Sequence, residues 1–424
     1  MRDHLGEMTD GVYGNVRVPR SLVADESRFG GRLEGDCLIG DLVVRDGKVA
    51  GMAREGSAPL DLEGRILTPT LVEAHCHLDK CFTASRLDFA GGTLLDAIDA
   101  QARDKAHWTR EDIRARALRG LEELWASGCR FARTHVDWAV NPTDPSHAPL
   151  AWEVLGEIAE EWRDRFTLQR AALLPIEAFA AEEIATPLAA RVAQDGGVLG
   201  AFVFGQDGAR ESVRRMVRVA RDHEISLDFH VDEDLSPTLK GLDFVAEAVA
   251  SERFDGPVLC GHACSLSTIE GDQLHRRIER IAEAGLTIVC LPTSNLYLQD
   301  RGAGTPTRRG ITRVQELIKR GVPLAFGTDN VRDAFCPIGA HNPFQSLAFG
   351  ILAAQLEPPA GRWLPCITHA AERALGFKET MVEGCPADRL LLWHARETAD
   401  LLASSPARPP QELPATLRRA RRRS

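Results

Sequence analysis

The run Glu73-Ala74-His75-Cys76-His77-Leu78-Asp79-Lys80 closes an apolar segment and sets two imidazoles two residues apart. Residues two apart on an extended strand share a face, so His75 and His77 can offer ring nitrogens to one metal ion. A lone His-x-His pair also arises often by chance, and a half-exposed strand with polar residues outward accounts for it as well. Recurrence changes that. Short apolar runs end in Arg133-Thr134-His135-Val136-Asp137, Leu174-Pro175-Ile176-Glu177, Asp228-Phe229-His230-Val231-Asp232-Glu233, Cys260-Gly261-His262 and Gly327-Thr328-Asp329-Asn330. Histidines together with a carboxylate suit a first-row divalent cation, zinc or iron(II). Water bound to such a cation loses a proton near neutral pH and can attack an electrophilic carbon. A neighbouring carboxylate can take that proton and return it to the leaving group, and Glu233, three residues after His230, could turn toward a substrate for that purpose. Neither HExxH nor PCxxC occurs, which sets aside helical zinc-protease sites and cytidine-deaminase-type zinc sites.

Elements able to position these groups follow from the apolar pattern. Candidate strands lie near 66–75, 131–136, 168–175, 198–204, 226–231, 257–262, 286–291 and 323–328, and amphipathic stretches such as 111–125, 211–222, 267–284 and 312–320 fill the gaps. Eight strands alternating with helices predict an α/β fold, a (β/α)8 barrel of TIM type, whose reactive groups gather at the carboxyl ends of the strands. A doubly wound open sheet is the fallback, but no GxGxxG follows any of these strands. Residues 37–52 read as two strands around the Asp46-Gly47 turn, and 384–393 supplies a strand for the same sheet. The expectation is a small β-sandwich built from both termini, 1–67 and 380–424, beside a barrel over 68–379.

Bulk composition narrows the class. Hydrophobic residues make up 44% and charged residues 26% of the 424, an ordinary globular balance. A net charge of −10 argues against a nucleic-acid surface. The arginine-rich stretch 418–423 reads as a solvated terminus. Ten cysteines are scattered without a CxxC pair, which fits a reducing cytoplasm. The first residues lack the apolar core of a signal peptide, and no apolar run is long enough to span a membrane. A cytoplasmic protein is expected, with no membrane or nucleic-acid partner and with the homo-oligomeric state usual for enzymes of this size.

The chain resembles the amidohydrolase superfamily, and within it the bacterial cytosine deaminases. The likeness runs in order from about residue 67 to 375. It is carried by the HxH pair, the later His230, His262 and Asp329, and by segments such as Gly92-Thr93-Leu94-Leu95, Arg133-Thr134-His135-Val136-Asp137, Leu298-Gln299-Asp300-Arg301 and Phe326-Gly327-Thr328-Asp329-Asn330-Val331. The resemblance implies one divalent metal ion per chain held by His75, His77, His230 and Asp329. It implies that His262 hydrogen-bonds the oxygen that adds to the substrate and that Glu233 passes a proton to a ring nitrogen. Asp329 would take a proton from the attacking water and help deliver it to departing ammonia.

Departures from the pattern fall in the part that reads the substrate. Ile176 stands where those deaminases place a glutamine after the proline of the third strand. Asn330 replaces a second aspartate, Phe335 a tryptophan, and Lys80 a neutral residue. Lys80 either holds an anionic or carbonyl group or pairs with Asp79. His135 and Asp137 are expected to brace the site, Glu177 to begin a helix or orient a neighbour, and His369 to pack or cap. Asn295 and Gln299 either line the pocket or bond within loops. The reading is a metal-dependent aminohydrolase that releases ammonia from a small-molecule heterocycle, cytosine or a relative. The alternatives are hydrolysis of an N-alkyl amine or amide on an aminotriazine-like or cyclic amide substrate, a catalytically inert homologue used as a binding or scaffold protein, and a metal-binding protein whose barrel stores the ion. The inert homologue predicts lost ligands or a lost acid, and each is present in the sequence; storage predicts that Glu233→Gln is without consequence.

Overall fold

The computed structural model describes residues 10–56, 58–87, 92–403 and 411–412. Five strands precede the barrel: β1 (Gly11–Pro19), β2 (Arg32–Glu34), β3 (Cys37–Arg45), β4 (Lys48–Ala53) and β5 (Asp61–Pro69). The barrel follows as β6 (Leu71–Cys76), β7 (Cys129–Asp137), β8 (Thr167–Pro175), β9 (Val198–Val203), β10 (Leu227–Val231), β11 (Val258–His262), β12 (Thr287–Cys290) and β13 (Leu324–Phe326). Two short strands end the described chain, β14 (Leu390–Leu392) and β15 (Gln411–Glu412).

β6 to β13 form an eight-stranded sheet in sequence order, and every recorded pair in it is parallel. Helices cross between most successive strands, as a parallel sheet requires. The last strand returns to the first: Asp329 N–H donates to the His75 carbonyl at 2.8 Å, and Cys76 bridges Asp329 in parallel. A buried carboxylate clasps the same seam. Glu73 accepts the backbone N–H of His75 at 2.9 Å and that of Thr328 at 3.1 Å. Burial pushes its carboxyl up to about 8.

The second sheet joins both ends of the chain in the order β15-β14-β5-β1-β3-β2, with β4 paired to β3. The β3–β4 hairpin turns on Asp46 and Gly47, both at positive φ (51° and 69°), the geometry that favours Asp-Gly there. Trp393, just after β14, is buried and donates its indole N–H to Thr68 Oγ1 at 2.8 Å, which fastens the C-terminal segment to β5. The single strand expected over 66–75 is two strands. Asp61–Pro69 belongs to the terminal sheet and Leu71–Cys76 to the barrel. Both are buried on both faces here, so the apolar run passes without a break from one sheet to the other. The arginine-rich stretch 418–423 lies outside the described residues.

The first long barrel helix, Arg110–Ser127, shows how sequence fixes the surroundings of the HxH loop. Thr109 caps it by accepting the Asp112 N–H, and Gly128 ends it in the left-handed region at φ 100°. Ile113, Ala117, Leu121 and Leu124 form its buried stripe. Gly120 sits in that stripe because a Cβ there would meet Leu78 Cδ2 at 2.6 Å. Arg116 donates to the Asp79 and Cys81 carbonyls at 2.6 and 3.2 Å and so holds the loop after His77. Asp112 in turn anchors Arg116 at 2.9 Å and Arg86 at 2.7 Å. Burial opposes ionisation of Asp112, but hydrogen bonds from Arg86 and Arg116 outweigh it and bring the carboxyl to about 2. A depressed carboxyl stabilises the fold above its unfolded pKa, and that contribution is lost as pH falls through the folded value. Screened by solvent at this partly exposed position, Asp112→Asn is therefore expected to cost about 1 kcal/mol near neutrality. The difference should close between pH 3.8 and about 2, which urea unfolding at the two ends of that range would show.

Among the described residues, no helix is long and apolar enough to cross a membrane. All ten cysteines are buried and unpaired.

Candidate metal centre and substrate cavity

Four polar atoms converge where β6, β10 and β13 end. His75 Nε2 lies 3.1 Å from His230 Nε2, which lies 3.2 Å from His77 Nε2. Asp329 Oδ1 is 3.4 Å from His75 Nε2 and 3.2 Å from His77 Nε2. Burial holds the His77 and His230 imidazoles well below their ordinary pKa, so both are neutral. Burial works against ionisation of Asp329, yet the His75 and His77 imidazoles beside it keep its carboxyl well below the usual carboxylate range. One shared proton could join one pair of these atoms. Four of them this close would be balanced by a shared cation. Ligands about 2.0–2.2 Å from zinc in a tetrahedron stand roughly 3.4 Å apart, and the observed spacings are close to that edge. The donor set therefore fits a divalent first-row metal.

The backbone around the centre is under tension. Asp329, His262 and Asp232 all hold positive φ, at 56°, 67° and 53°. Such conformations cost energy for residues with a side chain and gather at functional sites. Asp329 Oδ2 accepts a short hydrogen bond from Ser294 Oγ, which fixes the carboxylate with Oδ1 toward the imidazoles. Two glycines make room for His75: a Cβ on Gly261 would fall 2.9 Å from its Cε1, and one on Gly327 would fall 2.9 Å from its Cβ. Gly261→Ala should displace the His75 ring and weaken zinc binding about 10- to 100-fold, measured by competition with a chromophoric chelator. Unchanged affinity in the variant would show that His75 does not set the centre.

His135 lies close behind the four. Its ring centroid is 3.9 Å from that of His75, and its Nε2 is 3.0 Å from Asp228 Oδ1. Ligand atoms lie within 4.8 Å of one another in two sets of four that could hold an ion, His75, His77, His135 and His230, and His75, His230, His262 and Asp329. Asp228 is engaged from the other side by Arg133 at 2.9 Å, and Arg133 reaches Gln169. The chain of polar contacts beneath the imidazoles is continuous.

A cavity of about 280 Å³ opens over these residues, with His77, His230, Glu233 and His262 in its wall. His262 Nδ1 faces Asn295 Nδ2 at 3.0 Å and Glu233 Oε1 at 3.3 Å. His262 Nε2 has no partner among the described residues, and when Asn295 donates to Nδ1 the ring proton sits on Nε2. Burial brings the His262 pKa down to about 3, so the ring is neutral. Burial, then the charge of Asp329, raises the Glu233 carboxyl well above its ordinary value. Gln299 donates to the Glu233 carbonyl at 3.1 Å and holds that loop without reaching the cavity wall.

Lys80, Asn330 and Phe335 all line the cavity. The ammonium of Lys80 pairs with Asp137 at 2.6 Å, rather than with Asp79, and stands 5.1 Å from the Phe335 ring centroid. Lys105 takes the other oxygen of Asp137. Asn330 donates to Asp333, a buried acid whose pKa is pushed up to about 7 by burial. Ile176 is fully buried in the turn after β8 and is not part of the cavity wall, where Leu174 and Pro175 stand instead. Glu177 is exposed in the first turn of that same 3-10 segment, and His369 begins a helix away from the cavity.

The sequence reading gave no role to Glu73, Gln101, Lys105, Ser294 or Asp333. Ser294 carried a signal, since it stands beside Asn295 at a strand end. Gln101 carried none, since nothing local separates it from the polar face of its helix.

A model of the amidohydrolase family matches residues 159–417. This chain belongs to that family. It is 31% identical over 401 residues to a pterin deaminase of Rhizobium rhizogenes, covering 92% of this chain and 90% of that protein. It is 22% identical over 354 residues to the N-isopropylammelide isopropyl amidohydrolase of a Pseudomonas species, covering 81% and 82%. The crystal structure of 5-methylcytosine deaminase from Klebsiella pneumoniae superimposes with a TM-score of 0.78 at 26% identity, covering 92% of this chain and 93% of that one. This amidohydrolase is a hydrolase of carbon–nitrogen bonds other than peptide bonds, and the relatives support hydrolytic deamination of a heterocycle.

Proposed function

We propose that this amidohydrolase is a metal-dependent deaminase that replaces the exocyclic amino group of an aminopyrimidine ring with oxygen and releases ammonia. The observation that carries the reading is the convergence of His75, His77, His230 and Asp329 under a cavity also lined by Glu233 and His262. A volume of about 280 Å³ lies at the small end of ligand cavities, roughly 300–1,000 Å³. It suits a single ring or a fused pair better than a nucleotide. The pterin deaminase relative supports a fused 2-amino-4-oxo ring, and the 5-methylcytosine deaminase supports a monocycle. An aminopyrimidine is common to both, and the fused ring is placed first because that similarity is greater.

The four ligands would hold one zinc or iron(II), which would supply acidified water and charge at the reacting carbon. The chain's own groups do the rest. Burial disfavours the Glu233 carboxylate and favours its protonated form, which can give its proton to a ring nitrogen and so draw electrons from the carbon under attack. His262 lines the cavity with an unpartnered Nε2, and with its proton there it can hydrogen-bond the oxygen as negative charge develops on it. Asp329, ionised and pinned by Ser294, can accept a proton from water and hand it to the departing amine. Phe335 and Phe202 give the ring apolar walls.

Ammonia release from aminopteridines, aminopyrimidines, aminopurines and aminotriazines by zinc- or iron-loaded enzyme tests the reading. Release from an aminopyrimidine ring supports it. Release of an alkylamine from a substituted aminotriazine, with none from the other rings, would replace it with N-alkyl amine hydrolysis.

A further inference from the structure

Gln101 puts into the cavity wall an amide that no described residue satisfies. Its side chain is 2% exposed, and neither Oε1 nor Nε2 has a hydrogen-bond partner among the described residues. Burying an amide without partners is costly, and native proteins seldom do so without a use for it. The helix Leu94–Lys105 turns Leu94, Ile98, Gln101 and Lys105 to the cavity, at the spacing of one helical face. Leu94 and Ile98 are apolar wall, and Lys105 is paired with Asp137. Gln101 alone on that face has unspent hydrogen-bonding capacity.

The rest of the wall makes this capacity matter. At the end of β8, near where the resemblance places a glutamine in the related deaminases and Ile176 here, the cavity meets the apolar Leu173, Leu174 and Pro175. Lys80 is held by Asp137, and Asn330 donates to Asp333. An amide side chain offers one donor and one acceptor side by side, the complement of a ring edge with C=O beside N–H.

We propose that Gln101 is the residue that determines substrate specificity by reading such an edge. Nε2 donates to the ring carbonyl and Oε1 accepts from the adjacent ring N–H. The substrate class is then a heterocycle whose lactam adjoins the carbon that loses its amino group, as in a 2-amino-4-oxopyrimidine, fused or not. This rests on the deaminase reading above and narrows it.

The test compares 2-amino-4-oxopteridine with 2-aminopteridine, whose C4–H beside a bare N3 leaves an amide only a single acceptor, in wild type, Gln101→Leu and the near-isosteric Gln101→Met. Metal content and thermal midpoint check that each variant is folded. Both variants should lose about 10- to 100-fold in kcat/KM on the oxo ring, mainly through KM, and lose markedly less on the ring without the lactam. Equal loss on both rings, or none on either, overturns the assignment. Calorimetry separates it from the deaminase reading. A wild type that binds the oxo ring without releasing ammonia, and loses that binding in Gln101→Leu, keeps Gln101 and discards deamination. A wild type that neither turns over nor binds either ring overturns both.

Discussion

Asp329→Asn is expected to remove metal retention and turnover together. The substitution keeps shape and the backbone bond to His75 but takes away the only carboxylate among the four converging atoms. Three imidazoles, which bring no negative charge, would then hold a divalent cation with nothing to balance it. Stripping one charged partner from a buried site costs on the order of 3–5 kcal/mol, or about 10²- to 10⁴-fold in affinity. The same residue is placed to accept a proton from water, so saturating metal should not restore the rate. Zinc per chain by elemental analysis and turnover at millimolar added zinc separate the two effects. Stoichiometric metal with wild-type turnover would remove Asp329 from the centre.

Glu233→Gln should do the opposite: metal stays and chemistry goes. Glu233 makes none of the close contacts among the four converging atoms, and its Oε1 faces His262 instead. A glutamine keeps size and hydrogen bonding but cannot transfer a proton. Positioned acid–base groups contribute about 10²- to 10⁴-fold, so kcat should fall by that factor with zinc content unchanged and KM little altered. The raised pKa sets the direction of the pH dependence. The proton-donating form is present below the folded value and is lost as pH rises through it. A variant as fast as wild type would favour a protein that stores the ion rather than uses it.

The barrel was legible in the sequence because parallel strands buried on both faces leave short apolar runs at regular intervals. All eight candidate strands correspond to observed ones. The first was drawn too long, because Thr70 separates two buried strands without interrupting the apolar run. Residues at strand ends were equally legible, since the fold brings those ends to one face wherever they lie in sequence. The two open readings of Lys80 could not be resolved there. Its partner, Asp137, lies at the end of the neighbouring strand and not beside it in the chain. Ile176 stands at the position where the family pattern expects a substrate contact, but the 3-10 turn Ile176–Phe179 takes it into the core. Gln101 was invisible for the converse reason. It comes from a helix that lines the cavity wall, and only the tertiary arrangement distinguishes it from any other polar residue of an amphipathic helix.

The most direct test of the central claim is mass spectrometry of the product formed from an aminopyrimidine ring in ¹⁸O-labelled water, with and without a chelator. The account predicts an intact ring in which one amino group has been exchanged for one labelled oxygen, with one ammonia per product and no product once the metal is stripped. A ring-opened product that has gained the whole of a water would contradict it, as would a deaminated product formed at the same rate by the metal-free protein.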